Sequence, residues 1–238
     1  MYRGLVCDAA ECVFAAHGFL RARMSQIARE SGVSIGTIYR VFPGRKDEIY
    51  RAIQENRGTE LIGRTRAIGE AAWRQRGDLL DAMLAGVAAT VDFFAAHPDY
   101  LRLVLREEKG WAGGAKRRSA EQTAMWHEGV DGLVSAMRFG IAQRLLVDDD
   151  ADTMARTWVA IQEAHLGHWV EQGMRATPAE VAARFQRQIL RAFCRPEVLA
   201  TRWLPEVTTT PERQPGTPPA PAAPSPESAP ATERRRES

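Results

Sequence analysis

Apolar positions recur every three or four residues along most of the chain, the period of helices that bury one face. Val6, Ala10, Val13 and Phe14 form the first stripe, which predicts a helix from about Arg3 to His17, stopped at Gly18. A second pattern occupies Met24 to Phe42: a short segment through Ile27 and Ala28, then Gly32, then another short segment centred on Ile38. Gly32 can take a left-handed backbone without the Cβ penalty, so it ends one helix and turns the chain. Val33 packs back against that end, and the Ser34 hydroxyl is placed to cap the next helix. Ile38 then wedges into the crossing with Ile27 and Ala28. This is helix-turn-helix spacing.

Beyond the short loop Pro43-Gly44, the spacing of Ile49, Ile53, Leu61 and Ile68 predicts a long helix from Arg45 to about Arg76. Gly58, Gly63 and Gly69 are expected to weaken or bend it. Leu80, Met83, Leu84, Val87, Val91 and Phe94 mark the next helix, which ends at His97-Pro98, and Pro98 opens another carrying Tyr100, Leu103 and Val104. Lys109 to Arg118 reads as an exposed, glycine-rich basic loop, and Ser119 to Leu146 as a long helix. Asp148, Asp149 and Asp150 are placed to cap the following helix, Ala151 to Met174, where negative charge meets the positive end of the dipole. That helix is apolar on more than one side. Thr177, Pro178 and Glu180 sign the start of another, with Val181, Phe185, Ile189 and Phe193 at four-residue intervals. From about Val207 the composition turns to Pro, Ala, Thr, Ser and Glu, too poor in apolar surface to order.

The expected architecture is all-α: a three-helix helix-turn-helix head (1–45), a linker helix (46–76), a helical body (77–205) and a disordered tail (206–238). Composition narrows the setting. An apolar content of 45% over 238 residues supports a substantial core, while a formal charge of +2 makes nucleic-acid binding a matter of local placement only. Cys7, Cys12 and Cys194 are odd in number and lack metal-ligand spacing, which suits a reducing cytosol. Asp8 and Glu11 interrupt any signal-peptide pattern in the first twenty residues, and no apolar run approaches the ~18 residues a membrane span needs. The expectation is a cytoplasmic protein without a membrane partner.

Candidate chemistry concentrates on Ser34–Val41. With Ile38 turned inward, Ile35, Gly36, Thr37, Tyr39 and Arg40 occupy other faces. Thr37, Tyr39 and Arg40 can donate hydrogen bonds to phosphates or base edges, and Gly36 permits close backbone approach. No acidic residue interrupts that segment, so double-stranded DNA is the expected partner. In the body, Trp111, Trp126, Trp158 and His127 are candidates to line an apolar pocket for a hydrophobic or aromatic small molecule. His165 and His168 are i, i+3 neighbours near Glu163, but they flank Leu166 and Trp169, where hydrogen-bonded histidines are commoner than metal ligands. No nucleophile elbow, dinucleotide fingerprint or HExxH motif occurs, so no catalytic residue, metal or cofactor is expected.

The run IARESGVSIGTIYRVF with the later KDEI, and the preceding AAECVFAAHGF, resemble the N-terminal domain of the TetR family of bacterial transcriptional regulators over roughly the first quarter of the chain. The resemblance implies a homodimer that reads a palindromic operator and answers to a small-molecule effector, commonly as a repressor. It assigns DNA contacts to Ser34, Ile35, Gly36, Thr37, Tyr39 and Arg40. Because the segment after Phe42 is one residue longer than usual, either Arg45 or Lys46 takes the place of the family's phosphate-contacting lysine. Arg23 stands where such sequences carry a capping Thr or Ser, so Ser25 or solvent is expected to substitute. The helices 151–174 and 177–195 are expected to pair across a two-fold axis, with surplus apolar surface that includes Phe185 and Ile189 covered by the partner.

Overall fold

The computed structural model describes residues 2–107 and 120–202, and these form helices joined by short connections. They are α1 (Tyr2–His17), α2 (Met24–Ser31), α3 (Ile35–Val41), α4 (Arg45–Arg76), α5 (Leu79–Ala96), α6 (Pro98–Glu107), α7 (Ala120–Ala142), α8 (Ala151–Glu171), α9 (Pro178–Phe193) and α10 (Pro196–Arg202). The loop expected over Lys109–Arg118 and the tail from Val207 lie outside the described residues.

The helix ends follow capping chemistry. Gly18, Gly32, Gly77 and Gly173 all take positive φ at or just beyond a helix end, the conformation only glycine adopts without strain. Asp150 accepts from the Thr153 N–H at 2.8 Å and from its hydroxyl at 2.7 Å, so one member of the acidic triplet caps α8 as expected. Thr177 and Glu180 form a reciprocal capping box on α9 (2.8 and 3.3 Å). At α2 the Gln26 side chain accepts the Arg23 backbone N–H at 2.8 Å, while the Gln26 N–H donates to the Arg23 carbonyl at 3.0 Å.

α1, α2 and α3 bury Phe14, Ile27, Ile38 and Phe42 completely, together with Ile49 and Ile53 from the start of α4. Phe19 seats edge-on against Phe14 (5.4 Å) and Tyr50 (5.0 Å), which ties the α1–α2 turn to α4. α4 then leaves the head without a break across its glycines and packs along α5.

α5 corrects one expectation. It is eighteen residues long with mean hydropathy 1.7, long and apolar enough by composition to cross a membrane. It instead lies between α4 and α9, with Val87, Val91, Phe93 and Phe94 buried. α8 and α9 bring a second correction. Met154, Trp158, Val159, Leu166 and Trp169 are all buried by the chain's own helices. Phe185 is fully buried and Ile189 is 4% exposed, so neither belongs to a surface awaiting a partner. The reason is geometric: α9 inserts beside both α5 and α8, and Trp158 packs on Phe185 and Phe193. A short bridge between Leu146 and Cys194 then pins the α7–α8 turn to the end of α9.

Candidate nucleic-acid interface and body cavity

α3 is held from beneath and open above. Ile38 is fully buried, whereas Ser34, Ile35, Gly36, Tyr39 and Arg40 are exposed and Thr37 is half-buried. Ser34 caps the helix by accepting the Thr37 N–H at 3.1 Å. Its hydroxyl also lies 2.9 Å from the Thr37 hydroxyl, and Arg40 donates to that same oxygen at 3.3 Å. These three side chains therefore form one exposed polar row. Arg3 closes the other end, donating to the Val41 carbonyl at 3.1 Å while its guanidinium lies over Phe42.

The two candidate cations after Phe42 part company. Lys46 turns inward, donating to the Phe19 carbonyl at 2.7 Å and the Leu20 carbonyl at 3.2 Å, with its ammonium over the Phe19 ring. It fastens the α1–α2 turn. Arg45 is exposed, and its guanidinium sits 5.5 Å from the Tyr39 ring centroid. Arg45 takes a left-handed backbone (φ 57°), a conformation that costs a residue with a Cβ about 1–2 kcal/mol.

A cavity of about 530 Å³ lies between α4, α5, α7 and α8. Its size is in the range of small-molecule sites. Its walls are mainly apolar, among them Leu61, Met83, Val87, Leu133, Trp158 and Val159. Glycines on three helices, Gly58, Gly69, Gly86, Gly129 and Gly132, also face it. Where a helix shows a glycine it shows no side chain, so these positions open the space between helices that would otherwise close. Gln54 and Tyr100 stand in the wall, the Tyr100 hydroxyl donating to Gln54 Oε1 at 3.0 Å.

Of the pocket residues expected from sequence, Trp158 lines this cavity. His127 is exposed and is not among its described lining residues. Trp111 and the side chain of Trp126 lie outside the described residues. His165 pairs with Gln188 (2.7 Å) and stacks on Phe185, and no cluster of potential metal ligands occurs among the described residues. Sequence reasoning missed Gln54, Tyr100 and the glycine walls. The available signal was the density of glycine within helical periodicity, which reads as a weak helix until a cavity explains it.

The head is wired to the body through α1. Arg57 of α4 donates to Glu11 at 2.9 Å and Asp8 at 3.3 Å. Burial pushes the Glu11 carboxyl above the usual range, and the Arg57 hydrogen bond works against that shift. Arg106 of α6 donates to the Ala15 and Ala16 carbonyls at the end of α1, where the dipole favours a cation.

Helices α1 to α3, with Ile38 at the crossing and a polar α3 facing outward, define a helix-turn-helix protein that carries a cavity-bearing helical body. Residues 6–53 match the family model for bacterial regulatory proteins of the tetR family. Over these residues the chain is similar to the TetR family of transcriptional regulators, as the residues of α1 to α3 implied. Similar solved structures extend the likeness to the whole fold. The ketosteroid transcriptional regulator KstR2 of Mycobacterium tuberculosis has a TM-score of 0.67 at 18% identity, with 82% of this chain and 96% of that one covered. The fatty acid degradation regulator FadR from Bacillus halodurans gives 0.65 at 19% identity, covering 79% and 94%. SmeT, the repressor of the Stenotrophomonas maltophilia multidrug efflux pump SmeDEF, gives 0.62 at 18%, covering 82% and 92%. At these identities the likeness is one of fold. No curated protein sequence matches the chain.

Proposed function

We propose that the protein is a homodimeric transcriptional repressor that leaves its operator when a largely apolar small molecule occupies the body cavity. The observation that carries this reading is the placement of one helix: α4 begins in the head core at Ile49 and Ile53 and goes on to form a wall of the cavity. SmeT, named a repressor, has the same fold, which favours repression over activation. In this reading Tyr39 and Arg40 reach base edges, Ser34, Thr37 and the backbone at Ile35 and Gly36 approach phosphates, and Arg45 supplies the exposed phosphate cation. Two heads related by a two-fold axis read the halves of a palindrome. The effector acts only through its preference for one body conformation, and a hundredfold loss of operator affinity needs about 2.7 kcal/mol of such preference.

Fluorescence anisotropy on the DNA adjoining the protein's own gene tests the contacts. Tyr39→Ala and Arg40→Ala should each cost roughly 1–3 kcal/mol and relax sequence preference. Arg45→Ala should weaken specific and random DNA alike and lower the salt slope by about one. Wild-type affinity in both the Tyr39 and Arg40 variants would overturn the assignment of α3.

A further inference from the structure

Gln54 is 6% exposed and stands in the cavity wall. Its Oε1 accepts the Tyr100 hydroxyl, and its Nε2 has no hydrogen-bond partner. A buried amide N–H without an acceptor costs about 1–3 kcal/mol, so proteins keep few of them. The threonine hydroxyls of the wall bond to their own helices and are not partners of Gln54 Nε2. Thr90 already donates to the Gly86 carbonyl at 2.9 Å, and Thr65 to the Leu61 carbonyl at 2.9 Å. Gln162, 8% exposed on α8, adds a second amide to the wall. The charged lining residues, Arg66 and Glu70, are exposed at the rim. Among the described lining residues the buried polar groups are thus neutral, and α4 supplies to this wall the residue whose amide N–H lacks an acceptor.

We propose that Gln54 Nε2 donates to a carbonyl-type oxygen on a neutral, mainly apolar ligand, and that this bond sets the chemical class of the effector. The inference rests on the effector reading above and adds to it. Neutrality follows because a carboxylate brought against these amides would lose its hydration without gaining a buried cation. The position gives the bond a consequence. Gln54 directly follows Ile53, a buried residue of the head core, and lies one turn before Arg57, which holds α1. A ligand oxygen on Gln54 therefore acts on α4 where that helix leaves the head.

Three probes of one shape separate the possibilities by isothermal titration calorimetry on the full chain: benzophenone, diphenylmethane and diphenylacetate. Benzophenone should bind the wild type at least tenfold more tightly than diphenylmethane, and Gln54→Met should erase that advantage while still binding both. Equal binding of ketone and hydrocarbon to the wild type would overturn the inference and leave the effector cavity standing. A ketone preference that survives in Gln54→Met would remove Gln54 from the role, and tightest binding of diphenylacetate would overturn neutrality. No heat from any probe would overturn the cavity reading and the inference together. Should Gln54→Met fail to fold, the wild-type ranking of the three probes still decides between a carbonyl reader and a plain apolar void.

Discussion

Alanine in place of three glycines should have opposite effects, although all three lie inside helices. A glycine within a helix is about 0.8–1 kcal/mol less favourable than alanine. At Gly86 on α5 and Gly132 on α7, a Cβ would meet nothing within 4 Å. Each substitution should therefore raise stability by about 1 kcal/mol, or roughly 2–4 °C in Tm for a chain of this size. Gly140 lies two turns beyond Gly132 on the same helix, and there a Cβ would sit 2.6 Å from Leu146 Cδ1 and 3.0 Å from Leu79 Cδ2. Leu146 is 1% exposed and its turn is tied to α9 by the Val147 N–H to Phe193 carbonyl bond at 2.9 Å, so it has little room to yield. Overpacking of that kind costs about 1–3 kcal/mol, which outweighs the propensity gain. Urea titrations followed by circular dichroism, at one protomer concentration, should rank Gly132→Ala and Gly86→Ala above wild type and Gly140→Ala below it. A Gly132→Ala protein less stable than wild type, or a Gly140→Ala protein as stable as Gly132→Ala, would refute the reasoning.

Phe185→Asp should fail to fold, since removing a buried phenylalanine alone costs about 3–5 kcal/mol, whereas Ala164→Arg on the exposed side of α8 should keep its helicity and become monomeric by light scattering. Folded, monomeric Phe185→Asp would instead restore that residue to the interface. The Glu180 carboxylate accepts from the Thr177 N–H and hydroxyl, which holds it below the usual range. Its contribution to stability is accordingly present above its unfolded value of 4.5 and lost as pH falls through the lower folded value. The urea midpoints of wild type and Glu180→Gln should differ more at pH 6 than at pH 3, and a pH-independent difference would remove the carboxylate from the cap.

What the sequence made legible was local. Capping, left-handed turns and the period of apolar residues are set within a few positions, so Gly32, Ser34, Asp150 and the Thr177–Glu180 box could be read directly. Ile38 could be assigned to the crossing because its spacing from Ala28 and Gly32 leaves it one face to occupy. Properties that depend on which helices meet were not legible. The apolar residues around α8 suggested a covering partner, yet α9 of the same chain supplies the cover, and periodicity alone cannot say which neighbour buries a face. Lys46 and Arg45 are adjacent in sequence and alike in charge. Only the left-handed backbone at Arg45 and the carbonyls of Phe19 and Leu20 decide which one faces outward. The glycines of α4, α5 and α7 mean little singly, and acquire a meaning when three helices bring them to one space.

In the proposed reading, that convergence gives a ligand its route to the head. Two helices carry both a cavity residue and an anchor on α1: α4 holds Gln54 and Arg57, and α6 holds Tyr100 and Arg106. The Tyr100–Gln54 hydrogen bond joins them, so the proposed ligand contact at Gln54 would bear on both anchors. The energies are commensurate. A hydrogen bond to a charged group contributes about 1.5–3 kcal/mol, and Arg57–Glu11 is such a bond with Glu11 buried. A ligand held about 2.7 kcal/mol more tightly by a conformation in which these bonds are weakened would change operator affinity a hundredfold. Phe14, Ile27, Ile38 and Phe42 make the head a single packed unit. Burial raises the Glu11 carboxyl and the Arg57 hydrogen bond opposes that shift, so a movement of α4 away from α1 would leave a buried carboxyl without its cation.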